Sequence, residues 1–99
     1  MKMIRGETPT FKVYLPSSTT ITALGTPTVA VAQNMVLIEP TATTGTDTNG
    51  QYVSFSLTEA QSLSLVSGKN AFFQVTWKKN NTVVKGSTHS FWVGDSLIG

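Results

Sequence analysis

The sequence predicts an all-β protein: an immunoglobulin-like β-sandwich of about six to seven short strands with one short helical crossover near Thr58–Leu65. Three observations carry this expectation. Apolar residues recur with a period of two along several short stretches, which is the pattern of strands with one buried face. Gly, Pro and Asn punctuate the chain between those stretches, as turns require. Thr and Ser supply about a quarter of the residues and charged side chains only 12%, a composition that suits sheets with a neutral, hydroxyl-rich surface.

The first strand is expected over residues 8–15, where Phe11, Val13 and Leu15 share one face. Pro9 and Pro16 bracket it, which fits an edge strand or a strand end. Residues 17–22 are polar and β-branched and read as a loop passing into a weak strand. Residues 26–33 form the second clear strand, with Val29 and Val31 inward and a turn at Asn34. Residues 35–39, Met-Val-Leu-Ile-Glu, are apolar on both faces. Such a run reads as a central strand, or as one covered by a partner. Residues 41–50 have no hydrophobic anchor and carry two glycines, so they read as a long hairpin loop or projecting arm.

Asn49-Gly50 is a turn signal directly before the next strand, in which Val53, Phe55 and Leu57 alternate with polar residues. Thr58-Glu59-Ala60-Gln61 fits a capping box: Thr58 accepts from the third helical N–H and Gln61 reaches back to Thr58. Ser67-Gly68 offers a stop after about two turns. A capped turn between two strong strands carries the chain from one sheet to the other. Phe73, Val75 and Trp77 form the inward face of the following strand, with Trp77 suited to the core. The polar turn from Lys78 to Thr82 leads into a last strand reaching Val93, with a bulge at Gly86. A short tail from Asp95 to Gly99 contains Leu97 and Ile98.

Ninety-nine residues predict a single domain, 1–99, with one core. Seven Lys and Arg stand against five Asp and Glu, too few and too scattered for a nucleic-acid footprint. Without cysteine there is no disulfide framework, thiolate nucleophile or thiolate metal site. The opening residues carry no signal-peptide hydrophobic run, and no apolar run matches the length of a membrane span. The lack of cysteine fits a cytosolic origin, and the expectation is a protein with no nucleic-acid and no membrane partner.

His89, the one histidine, has Ser87, Ser90 and Asp95 nearby in sequence. A triad needs a base aimed at the serine and an acid behind the base, and a single extended strand does not supply that arrangement. Glu7, Glu39, Asp47, Glu59 and Asp95 are too few and too dispersed for paired-carboxylate chemistry. Asp47, Asn49 and Gly50 match a fragment of a calcium loop whose later glutamate is missing. Asn80-Asn81-Thr82 has the form of a glycosylation sequon and reads as a turn. The sequence therefore predicts no catalytic, cofactor-binding or metal-binding residues, and no enzyme. Tyr14, Tyr52 and Trp92 are out of phase with the core, so they either stack on sugar rings or lie under a helix, loop or neighbouring subunit.

Ile4-Arg5-Gly6-Glu7-Thr8-Pro9-Thr10-Phe11 resembles the I-R-G-T-T-P-T-F opening of small tail-region proteins of phages and prophages of Gram-positive bacteria. Ser56-Leu57-Thr58-Glu59-Ala60-Gln61 resembles that family's L-T-Q-E-x-T step, and Gln74-Val75-Thr76-Trp77 its Q-V-R-W strand. The order and spacing also match, so the resemblance runs from Ile4 to Trp92. The chain departs at Glu7, where the family often has Thr, and at Thr76, where it often has Arg. Similar sandwich domains open the upper-baseplate proteins of some phages. The resemblance implies a structural subunit of a tail or baseplate, in the bacterial cytoplasm during assembly and then in the virion tail, that associates with itself, with larger tail or baseplate proteins, or with both. The alternative is a carbohydrate-binding module that recognises cell-wall glycan. Arg5, Met35, Leu37, Trp92, Leu97 and Ile98 are the candidate interface residues.

Overall fold

A computed structural model describes residues 1–95 of the chain. Its strands form two sheets, one five-stranded in the order β1-β8-β7-β3-β4 and one three-stranded in the order β2-β6-β5. The strands are β1 (Lys2–Ile4), β2 (Thr10–Tyr14), β3 (Thr26–Gln33), β4 (Val36–Ile38), β5 (Ala42–Asp47), β6 (Gly50–Ser56), β7 (Lys69–Lys79) and β8 (Thr82–Gly94). Two short helices, α1 (Ile21–Leu24) and α2 (Glu59–Leu63), complete the order. The sheets are not closed into a barrel, and the fold is an all-β sandwich.

The core lies between the sheets and is built by period-two alternation from both sides. Phe11 and Phe55 enter from the smaller sheet, Phe73 and Phe91 from the larger, all at most 6% exposed. Phe11 sits 4.8 Å from Phe91 and 5.2 Å from Phe55, and Phe55 meets Phe73 edge-on at 5.0 Å. Each such pair adds about 0.5–1.5 kcal/mol beyond its buried area. Trp77, Val75, Val29, Val31 and Val93 continue the same layer.

Several expected features stand. The strand expected over 26–33 is β3, residue for residue. The capping box closes in both directions, with Gln61 N–H donating to Thr58 Oγ1 and Thr58 N–H to Gln61 Oε1. Helix α2 then carries the chain between sheets, although it spans only Glu59–Leu63 and ends before Ser67-Gly68. The ladder between β7 and β8 shifts register between Gln74 and Thr76, where Gly86 lies opposite, so the bulge is in place.

Three expectations are corrected, and residues 2–4 add a strand that the sequence did not announce. β1 pairs parallel with the end of β8, Met3 against Val93, and Met3 is buried. Residues 17–22 hold no weak strand. Thr20 accepts from Ala23 N–H and starts the one-turn helix α1, which Gly25 ends at φ 95°. A Cβ there would meet the Lys78 carbonyl at 2.3 Å, so only glycine lets α1 approach β7 this closely. The apolar 35–39 run is not central; β4 is the outer strand of its sheet. The 41–50 segment is no projecting arm, since β5 pairs with β6 from Ala42↔Phe55 to Asp47↔Gly50. With β1 and β5 included the strands number eight.

The region around α2 is tied down by side chains from afar. Buried Gln33 grips the backbone of Val66 on both sides, donating to its carbonyl at 2.9 Å and accepting from its N–H at 2.6 Å. Arg5 donates to the carbonyls of Leu65 and Leu63 at 2.9 and 2.8 Å, satisfying groups that a helix end leaves open.

Candidate functional site

The outer face of the five-stranded sheet carries apolar side chains that the fold leaves uncovered. Alternation that sends Ala71, Phe73 and Val75 inward sends Phe72 outward, 47% exposed. Register places Ser90, Phe72, Ala32 and Leu37 in one row across four strands. The next row holds Lys2, Trp92 and Asn70. Leu37 is 64% and Trp92 46% exposed. Beside this row, the β3–β4 hairpin and β7 enclose an open hollow of about 410 Å³, walled by Met35, Leu37, Lys69, Asn70 and Phe72. These side chains lie in adjacent rows of one sheet face rather than singly over the surface.

The hairpin that borders the hollow has a two-residue turn, Asn34-Met35, with both residues at positive φ, 49° and 71°. Both signs positive define a type I′ turn, whose second position normally takes glycine. Here it takes methionine, with its side chain wholly in solvent.

The outer face of the three-stranded sheet is arranged differently. Tyr14 donates to Asp47 Oδ2 at 2.8 Å, and Lys12 Nζ meets the same oxygen at 3.2 Å. Lys12 also lies over the Tyr52 ring at 4.2 Å, and Tyr14 meets Tyr52 edge-on at 6.0 Å. Tyr52 drapes over Gly45, where a Cβ would fall 2.4 Å from its hydroxyl. The hydrogen bond from the Tyr14 hydroxyl, followed by the Asn49 N–H, holds the Asp47 carboxyl below its ordinary value. The hydrogen bond to Asp47 raises the Lys12 ammonium above its own. Tyr14 therefore commits its hydroxyl, and both tyrosines part of their ring surface, to neighbours within the sheet.

A third feature is an apolar cavity of about 410 Å³ between β2 and the inner face of β8, lined by Val13, Leu15, Val75, Trp77, Val84 and His89 among others. His89 stacks on Phe73 at 5.0 Å, as a strand histidine beside a core does. Ser87 lines the same cavity, yet no hydrogen bond among the described residues joins it to His89. Among the described residues no cluster of three potential metal ligands occurs, and no helix is long and apolar enough to cross a membrane.

Of the residues singled out by sequence, the structure brings Met35 and Leu37 together at one sheet edge, with Trp92 on the same face. Arg5 stands apart, its guanidinium engaged with the backbone beyond α2. Leu97 and Ile98 lie outside the described residues. Phe72 was missed by sequence reasoning, although the signal existed: it is out of phase with Phe73, Val75 and Trp77. No family model, no curated protein and no solved structure matches the chain.

Proposed function

We propose that this domain is a non-enzymatic structural subunit of a phage or prophage tail or baseplate. It folds in the bacterial cytoplasm and acts by protein–protein assembly in the virion tail. The observation that carries this reading is the uncovered row of Leu37, Ala32 and Phe72 with Trp92 beside it, on one sheet face. Such a face suits a protein partner, because large aromatic side chains, Trp above all, are enriched among the few residues that dominate interface energetics. The motifs at Ile4–Phe11, Ser56–Gln61 and Gln74–Trp77 add the tail-protein resemblance. The strand order also supports an immunoglobulin-like arrangement: β2-β6-β5 corresponds to strands B-E-D, and β3, β7 and β8 to C, F and G.

Purified particles of the encoding phage or prophage test the reading. The protein is expected in the tail fraction at fixed stoichiometry, and Phe72→Ser with Trp92→Ser is expected to remove it while the isolated domain stays folded. Absence of the wild-type protein from particles overturns the proposal. A second reading, binding of cell-wall glycan, draws on the exposed Trp92 ring with Asn70 and Lys2 beside it. Sedimentation of the domain with host walls, lost in Trp92→Ala, would favour that reading instead.

A further inference from the structure

We infer that the cavity between β2 and the inner face of β8 is a binding site for a small neutral molecule of the phenol class, with an aromatic body and one hydrogen-bonding head. The site lies on the opposite side of the five-stranded sheet from the Phe72 row, and the inference stands apart from the assembly reading.

Protein interiors pack with few voids larger than a water molecule. Yet about 410 Å³ stays open here against Val53, Val75 and Trp77, each at most 4% exposed. That is well above the cavity of about 150 Å³ that takes up benzene, and it falls within the ordinary range of small-molecule pockets. The two sheets meet ring to ring at Phe11 and Phe91, 4.8 Å apart. Nearer the β7–β8 turn the space opens, between Leu15 and Pro16 at the end of β2 and Ser87 and Val84 on β8.

Local backbone features shape this space. Phe91, His89 and Ser87 alternate inward, and the same period would bring Lys85 inward next. The register shift opposite Gly86 breaks the period, so Val84 stands against inward Trp77 and Lys85 against Thr76. The bulge thus keeps an ammonium group out of the cavity and puts an apolar side chain in, the kind of re-aiming that bulges perform beside functional sites. Gln74 donates to the Gly86 carbonyl at 2.8 Å and fixes the bulge. At another wall Leu24 of α1 lines the cavity, and Gly25 lets that helix lie close against β7.

The lining defines the chemistry of the ligand. Among the described residues no carboxylate, ammonium or guanidinium group lines the cavity, so a charged ligand would be buried without a counter-charge. His89 stacks on Phe73 through one ring face at 5.0 Å, which fixes the imidazole plane and leaves its nitrogens free. Neither these nitrogens nor the Ser87 hydroxyl has a hydrogen-bond partner among the described residues. A neutral imidazole and a hydroxyl can each donate and accept, and a phenolic hydroxyl does both in return. The deep part of the cavity, Val53, Val75 and Trp77, takes the apolar body, and Trp77 offers it a ring for aromatic packing.

Titration of the full chain with para-ethylphenol, followed through amide and indole NMR signals, tests the inference. The signals of Val53, Val75, Ser87 and the Trp77 indole should shift along one saturable curve with a Kd below about 1 mM, as suits so small a ligand. Those of Phe72 and Trp92 on the outer face should stay in place. Ethylbenzene, which keeps the body and lacks the hydroxyl, should bind at least about threefold more weakly, the scale of one hydrogen bond. His89→Phe, which keeps a stacking ring, combined with Ser87→Ala should abolish that preference. Ser87→Phe, at an exposed position, should fill the space and abolish the shifts with an unchanged melt. No saturation up to about 10 mM, equal movement of the Phe72 and Trp92 signals, or binding that Ser87→Phe leaves intact overturns the inference. So does a preference for the phenol that survives in the double variant.

Discussion

The two outer faces of the sandwich both display aromatic side chains, but only one of them is incomplete. On the three-stranded sheet, Tyr14, Tyr52, Lys12 and Asp47 satisfy one another. On the five-stranded sheet, Phe72, Trp92 and Leu37 have no counterpart within the described chain, and each is 46% exposed or more. Exposure of an aromatic ring is thus a poor guide to a site. Whether the ring already has its partner decides the matter, and that depends on which strands register brings side by side.

Substitutions should separate the two faces. Gly45→Val is expected to have the largest effect on stability, because its Cβ would fall 2.4 Å from the Tyr52 hydroxyl. Displacing that ring should cost about 1 kcal/mol, the most that its contacts supply, read as a fall of a few degrees in Tm, whereas Ala32→Val on the other face should leave the melt unchanged. Tyr52→Ala should cost about 1 kcal/mol through the lost ring contacts. Trp92→Ser should stay within about 0.5 kcal/mol of wild type while impairing assembly. A substantial loss of stability in Trp92→Ser would show that its ring has an internal partner after all, and would erase the contrast. Met35→Gly should gain up to about 1 kcal/mol by relieving the left-handed turn.

The smallest expected effect is on pH dependence, confined to the closed face. The Asp47 pKa is lowered on folding, so its contribution is complete above the unfolded value of about 3.9 and is lost as pH falls through the folded value below it. The Lys12 pKa is raised on folding. Its contribution is complete below the unfolded value of about 10.4 and is lost as pH rises through the folded value. Melting curves across both ranges should show a shallow acid limb that Asp47→Asn flattens. An acid limb identical in the variant would assign the effect to other carboxylates.

Elements with strong local signals could be read directly. In β3, Val29 and Val31 alternate with small residues, and the Thr58 and Gln61 spacing alone specified a reciprocal cap. The bulge at Gly86 and the inward Trp77 were similarly plain. What escaped depends on partners distant in sequence. β1 has one buried side chain, Met3, and is too short for a period to be counted; its ladder lies with residues 92–94. β5 is polar on both faces, so only its neighbour β6 identifies it as a strand. β4 reads as central because it is apolar on both faces, and its edge position appears only once the sheet order is known. The same two-sided apolarity made Met35 and Leu37 candidates in the first place. Phe72 stayed hidden because it is adjacent to Phe73, and two neighbouring aromatics blur the period that separates them.

The parallel pairing of β1 with the end of β8 has a mechanical consequence. Trp92 N–H bonds to the Met1 carbonyl at 3.1 Å and Arg5 N–H to the Gly94 carbonyl at 2.9 Å, so the two strands run side by side in the same direction. A pull on Met1 opposed by a pull on Gly94 would drag them past each other lengthwise. The hydrogen bonds between them would then be strained together rather than opened one after another, as in unzipping. An attachment of only three residue pairs is therefore oriented to resist tension along its own axis, and would yield far more readily to a sideways peel.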